Sequence, residues 1–121
     1  MQMRHPALIP VLAFAVVVAA CNDDEPAAPE PNGDVVDVYT PGSIFSPPTA
    51  EISVGGTVRW HMSRAPDGDG HNAIFSKTVP GAPPDINVVV DTVVSRVFNT
   101  RGTFGYVCTV HPGMVGEVVV Q

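Results

Sequence analysis

The sequence is short of cysteine, of cationic side chains and of any stretch with helical periodicity. Its 121 residues include two cysteines, one tryptophan and one lysine, and six Lys plus Arg stand against twelve Asp plus Glu. A formal net charge of −6 with no basic stripe or cluster excludes a protein that works by neutralising nucleic-acid phosphates. There is no Cys-x-x-Cys-His, which excludes a c-type haem attachment. There is no Gly-x-Ser-x-Gly either, although counting residues leaves a hydrolytic Ser-His-Asp set open. No internal repeat is present, and the length allows one small domain and no more.

The first residues stand apart in composition. MQMRHPALIPVLAFAVVVAAC has a basic start at Arg4, an apolar run from Ala7 to Ala20 and then Cys21. This is the layout of a secretory signal, and its apolar part is too short for a comfortable membrane span. The ending Val18-Ala19-Ala20-Cys21 resembles a bacterial lipobox, in which the cysteine is acylated and becomes the mature N-terminus; an ordinary signal cleaved after small residues and an uncleaved anchor are the alternatives. Residues 22–33, NDDEPAAPEPNG, hold four acidic residues, no basic ones and three prolines. Such a segment has little apolar surface to bury and is expected to be an extended, disordered tether. The expected organisation is therefore a lipoprotein signal over 1–21, a tether over 22–33 and a folded domain over 34–121.

From Asp34 onward the 88 residues carry eight acidic and five basic side chains, a net of −3. Val and Thr dominate, and apolar residues recur at spacing two: Val36 and Val38; Val58, Trp60 and Met62; Phe104, Tyr106 and Cys108. That period is a strand's. Gly and Pro clusters punctuate the runs at Pro41-Gly42, Gly55-Gly56, Gly81 to Pro84 and Pro112-Gly113. The pattern predicts an all-β fold, a two-sheet Greek-key sandwich of about seven or eight strands. A domain this small gains stability if a metal staples two loops.

With Cys21 assigned to lipid, Cys108 has no disulfide partner, and a lone thiol in an oxidising compartment is a liability unless something occupies it. Cys108 is followed at three-residue steps by His111 and Met114 in CTVHPGM, with Pro112 and Gly113 supplying the bend. The loop between a strand ending at Cys108 and the next strand can aim all three at one point. A further imidazole, His71, lies where the turn-rich stretch Ser63–Gly70 gives way to another strand. Two imidazoles, a thiolate and a weak thioether form the ligand set of a blue-copper electron-transfer site. Soft sulfur suits Cu(I), imidazole serves both oxidation states, and a geometry between their preferences limits rearrangement. Zinc could take the cysteine and two histidines, but a thioether is a poor zinc ligand. His61 competes with His71, yet it alternates with Trp60 and Met62 and is expected to face solvent. Asp67-Gly68-Asp69-Gly70 faintly suggests a calcium loop; it lacks the third acidic position and has Thr78 in place of the bidentate glutamate, so a plain turn is the better reading.

Over residues 34–121 the chain resembles the cupredoxins, and within them the plastocyanin and amicyanin group. The resemblance is carried by GGTVRW at 55–60, His71-Asn72, RGTFGYVC leading into the cysteine, and HPGMVGEVVV leaving it. It implies that His71, Cys108, His111 and Met114 ligate one copper ion cycling between Cu(II) and Cu(I). It also implies that Asn72 hydrogen-bonds across to the cysteine loop, with Thr109 receiving the contact. In relatives the imidazole matching His111 reaches the surface through an apolar patch, which implies docking around His111, Pro112 and Gly113, modulated by Asp67 and Asp69. Two features depart from the family pattern. Met62 stands where asparagine is common, and the loop SRAPDGDG before His71 is longer and more acidic than usual.

The function these residues imply is one-electron transport by a blue-copper domain. The carrier would be exported to a periplasmic or extracellular face, lipid-anchored to the membrane at Cys21, monomeric, and not an enzyme. Its partners would be redox proteins. The alternatives are a lipoprotein that handles copper without a redox circuit and a tethered sandwich that binds no metal.

Overall fold

The computed structural model describes residues 33–121; the signal, Cys21 and most of the tether lie outside them. Eight strands form two sheets, with no helix among the described residues. In chain order they are β1 (Val35–Tyr39), β2 (Thr49–Ile52), β3 (Gly56–Met62), β4 (His71–Phe75), β5 (Ile86–Val89), β6 (Thr92–Phe98), β7 (Gly102–Val107) and β8 (Val115–Val120). The smaller sheet has the order β1-β3-β6 and the larger β2-β8-β7-β4-β5. The expected all-β two-sheet sandwich is the observed fold.

The period-two pattern is what builds it. Val58, Trp60 and Met62 of β3 point inward and are essentially inaccessible, and so do Phe104 and Tyr106 of β7 with Cys108 just beyond. Alternation places these residues on one face of a pleated strand, and burying them against the opposite sheet supplies the main driving force. Trp60 is the centre of the core. Its ring meets Phe75 at 5.9 Å and Tyr106 at 5.5 Å, both nearly edge-on, the arrangement that aromatic quadrupoles favour.

Pairing in the larger sheet positions the site. β4 and β7 run antiparallel, with Ile74 opposite Val107 and Phe75 opposite Tyr106. The start of β4 therefore lies beside the end of β7. His71 is the first residue of β4, and Cys108 follows the last residue of β7. Two segments far apart in sequence thus meet at one end of the sandwich.

Candidate metal centre

The β7–β8 connection, residues 108–114, is closed by its own backbone. Cys108 N–H donates to the Met114 carbonyl at 2.9 Å, and Met114 N–H donates to the His111 carbonyl at 3.1 Å. Gly113 makes the closure possible with a φ of 83°, a left-handed conformation that costs a side-chain-bearing residue about 1 kcal/mol or more. Cys108, His111 and Met114 are all buried, at 3%, 7% and 2% exposure. The bend expected at Pro112-Gly113 is present, and it returns the backbone of Met114 to that of Cys108.

A ligand atom from each of His71, Cys108 and His111 lies within 4.8 Å of the others, and no other such group of three or more occurs among the described residues. Cys108 Sγ is 3.7 Å from His111 Nδ1, and the two imidazole rings are 4.8 Å apart. His71 is wholly buried, and neither of its ring nitrogens has a hydrogen-bond partner. An orphaned buried polar atom costs about 1–3 kcal/mol. A metal ion is the partner that suits two imidazole nitrogens beside a sulfur.

The electrostatics prepare these groups as ligands. Burial lowers the pKa of His71 and the neighbouring His111 lowers it further, so its ring stays neutral and its lone pair available. For Cys108 burial pushes the thiol up, but N–H groups of Asn72, His111 and Val110 and the His111 ring outweigh it, and the net shift is downward. Hydrogen bonds to sulfur favour the thiolate, which is the species that ligates metal.

Asn72 joins β4 to the ligand loop. Its Nδ2–H donates to Thr109 Oγ1 at 2.7 Å, and its Oδ1 accepts from Thr109 N–H at 2.8 Å. His61, the competing imidazole, is elsewhere: it contacts Asp37 at 2.7 Å and stacks on Tyr39 at 4.5 Å. The Asp67–Gly70 stretch is a turn, with Asp69 N–H donating to Asp67 Oδ1.

Asp67, expected only as a surface charge that modulates docking, touches the site directly. Asp67 Oδ2 lies 3.0 Å from His111 Nε2, so the imidazole edge expected at the surface is covered. The β3–β4 loop, residues 63–70, supplies the reach. Its unusual length and acidity was the one signal in the sequence that could have pointed to it. The Asp69 N–H, first, and the His111 ring hold the Asp67 carboxyl below its usual range against the opposing effect of burial.

Comparison with known proteins agrees with this geometry. Residues 36–121 match the family described as copper binding proteins, plastocyanin/azurin family. Amicyanin-alpha of Methylorubrum extorquens is 32% identical over 123 residues, an alignment covering 98% of this chain and all of that protein. The chloroplastic plastocyanin of Tetradesmus obliquus is 34% identical over 89 residues, covering 64% of this chain and 59% of the plastocyanin. A solved oxidised amicyanin variant superposes with a TM-score of 0.61 at 31% identity, over 72% of this chain and 82% of that one. With His71, Cys108 and His111 so arranged, the cofactor is one copper ion, and the chain belongs to the plastocyanin/azurin family of copper-binding proteins.

Proposed function

We propose that this protein is a membrane-tethered one-electron carrier with a type 1 copper site held by His71, Cys108, His111 and Met114. The observation that carries the reading is the convergence of Cys108 with two buried imidazoles, one of them with both nitrogens unpartnered. Bound copper supplies a Cu(II)/Cu(I) couple. The residues supply the rest. Cys108 offers a sulfur already biased toward thiolate, and His71 offers a neutral ring fixed at the head of a strand. Met114, next in the same loop, would offer a thioether as a weaker donor. The reciprocal Asn72–Thr109 contact holds the cysteine loop against β4, so the ligands shift little when the charge changes. Four protein donors leave no position for a substrate, which is the pattern of a carrier and not an enzyme.

Electron exchange is assigned to the face around Pro112 and Gly113. Ile44 and Val115 stand there 57% and 59% exposed. They flank an apolar groove of about 320 Å³ that also includes Phe45, Pro48 and Met114. Such a face suits brief docking with a redox protein, with surface charge steering encounter modestly and less at high salt. The chain is read as exported, acylated at Cys21 and spaced from the membrane by residues 22–33. Cys21→Ser is expected to free the domain from the membrane while leaving copper binding intact; a variant that stayed membrane-bound would remove the lipid anchor.

The decisive measurement is an absorption spectrum. Addition of Cu(II) should give an intense blue colour that a reductant bleaches and reoxidation restores. A protein that binds copper without that colour would be a copper-handling protein instead.

A further inference from the structure

We infer that Asp67 is a positioning residue for the copper site, fixing the tautomer and orientation of His111 from the loop between β3 and β4. The inference rests on the type 1 copper reading and goes beyond it, since Asp67 is no ligand.

The geometry is specific at both carboxylate oxygens. Oδ1 accepts from the Asp69 N–H at 3.1 Å, and Oδ2 faces His111 Nε2 at 3.0 Å. One oxygen is therefore tied to the loop and the other to the ring. The loop is itself braced. Ala65 N–H donates to the Asp69 carbonyl and Gly68 N–H to the Ala65 carbonyl. Arg64 Nη1 donates to the Gly68 carbonyl at 3.1 Å, while its backbone N–H donates to Asp91 in the β5–β6 turn. The carboxylate is thus presented to His111 from a fixed scaffold.

A carboxylate can only accept at this distance, so Nε2 must carry the hydrogen. In a neutral imidazole the other nitrogen, Nδ1, is then the lone-pair donor. Nδ1 is the atom that faces Cys108 Sγ at 3.7 Å. Asp67 thereby selects the tautomer in which the lone pair points at the cluster. A carboxylate on the far nitrogen also makes the ring a stronger donor and places negative charge beside the centre. Both effects favour Cu(II) over Cu(I), so the carboxylate lowers the reduction potential.

The test compares Asp67→Ala, Asp67→Asn and Asp69→Asn in the otherwise unaltered protein. In the metal-free wild type, at a pH where the His111 ring carries a single proton, nitrogen NMR should show the Nε2–H tautomer, the carboxylate holding the hydrogen that the Cys108 sulfur would otherwise draw to Nδ1. Asp67→Ala should mix the tautomers, and with copper added should weaken Cu(II) binding by roughly ten- to a hundredfold and raise the potential. Asp67→Asn keeps an oxygen acceptor without the charge, so it should retain the tautomer and raise the potential. Asp69→Asn removes an equal charge two residues away that does not touch the ring, and should change the potential less than Asp67→Asn does. An unchanged tautomer in Asp67→Ala, or equal potential shifts in Asp67→Asn and Asp69→Asn, would overturn the positioning role. A wild type that never turns blue would remove the electron-carrier reading instead, while the metal-free tautomer comparison still decides the contact.

Discussion

Asn72 and Thr109 are bonded in both directions, amide to hydroxyl and backbone N–H to amide oxygen, at 2.7 and 2.8 Å. The pair spans 37 positions of sequence and ties the first turn of the ligand loop to the strand that begins with His71.

Removing that link tests its weight. Asn72→Ala removes two hydrogen bonds made by a buried side chain to Thr109, which is exposed and can turn to water instead, so the loss should be about 0.5–1.5 kcal/mol per bond. Urea unfolding of the metal-free protein should show a lowered midpoint, while the copper-loaded protein remains blue because no ligand has been removed. An unchanged midpoint would mean that the loop holds its shape without β4.

Met114 carries a prediction about the potential. The residue is 2% exposed and anchored through its backbone to Cys108 and His111. If Met114 is the weak thioether donor proposed above, its loss should leave copper bound. Met114→Leu removes a donor that assists Cu(II), so the potential should rise. Met114→Gln offers a harder oxygen, so it should fall. Voltammetry on the three forms should order them Leu above Met above Gln, and any other order would take Met114 out of the ligand set.

Acid should act through Asp37. Its carboxylate on β1 accepts from Arg59 at 2.8 Å and contacts His61 at 2.7 Å, both on β3. The hydrogen bonds from Arg59, first, and His61 lower its pKa from 3.8 to about 2. The folded value lies below the unfolded one, so the contribution to stability is complete above the ordinary carboxylate value and fades as pH falls through about 2. Asp37→Asn should flatten that part of the stability profile. Thermal melts of both proteins across the interval check it, and parallel profiles would show that the ion pair contributes nothing.

Gly116 is held by contact and not by backbone conformation. A Cβ at that position would stand 2.5 Å from Tyr106 Cζ, and the two residues are directly opposite in the β7–β8 ladder. Tyr106 is buried among Phe45, Trp60 and Phe75, and burial pushes its hydroxyl pKa up to about 12. Gly116→Ala must displace that ring, at a cost of about 1–3 kcal/mol. Because Cys108 follows Tyr106 on the same inward face, copper affinity should fall as well. Denaturant unfolding and copper titration of the variant measure the two effects, and a wild-type result in both would show that the ring moves freely.

The amino-acid sequence determined by itself whatever depends on short range. The strand alternation of Val58, Trp60 and Met62 depends on a two-residue period. The closeness of Cys108 and His111 depends on one short loop, 108–114, closed by a glycine with positive φ. The Asn72–Thr109 tie could be anticipated only through likeness to a family, because nothing local to either residue names the other. The contacts across long range were decided by tertiary structure. The β4–β7 register brings His71 to the end of β7, 37 positions from Cys108. The folding of the Ser63–Gly70 loop brings Asp67 onto His111, 44 positions away. Composition marked that loop as acidic, and likeness to the family marked it as long and its aspartates as surface charges near the docking face. Which way a loop carboxylate points depends on what braces the loop, here Arg64 against Gly68 and Asp91, and that is a property of the packed molecule.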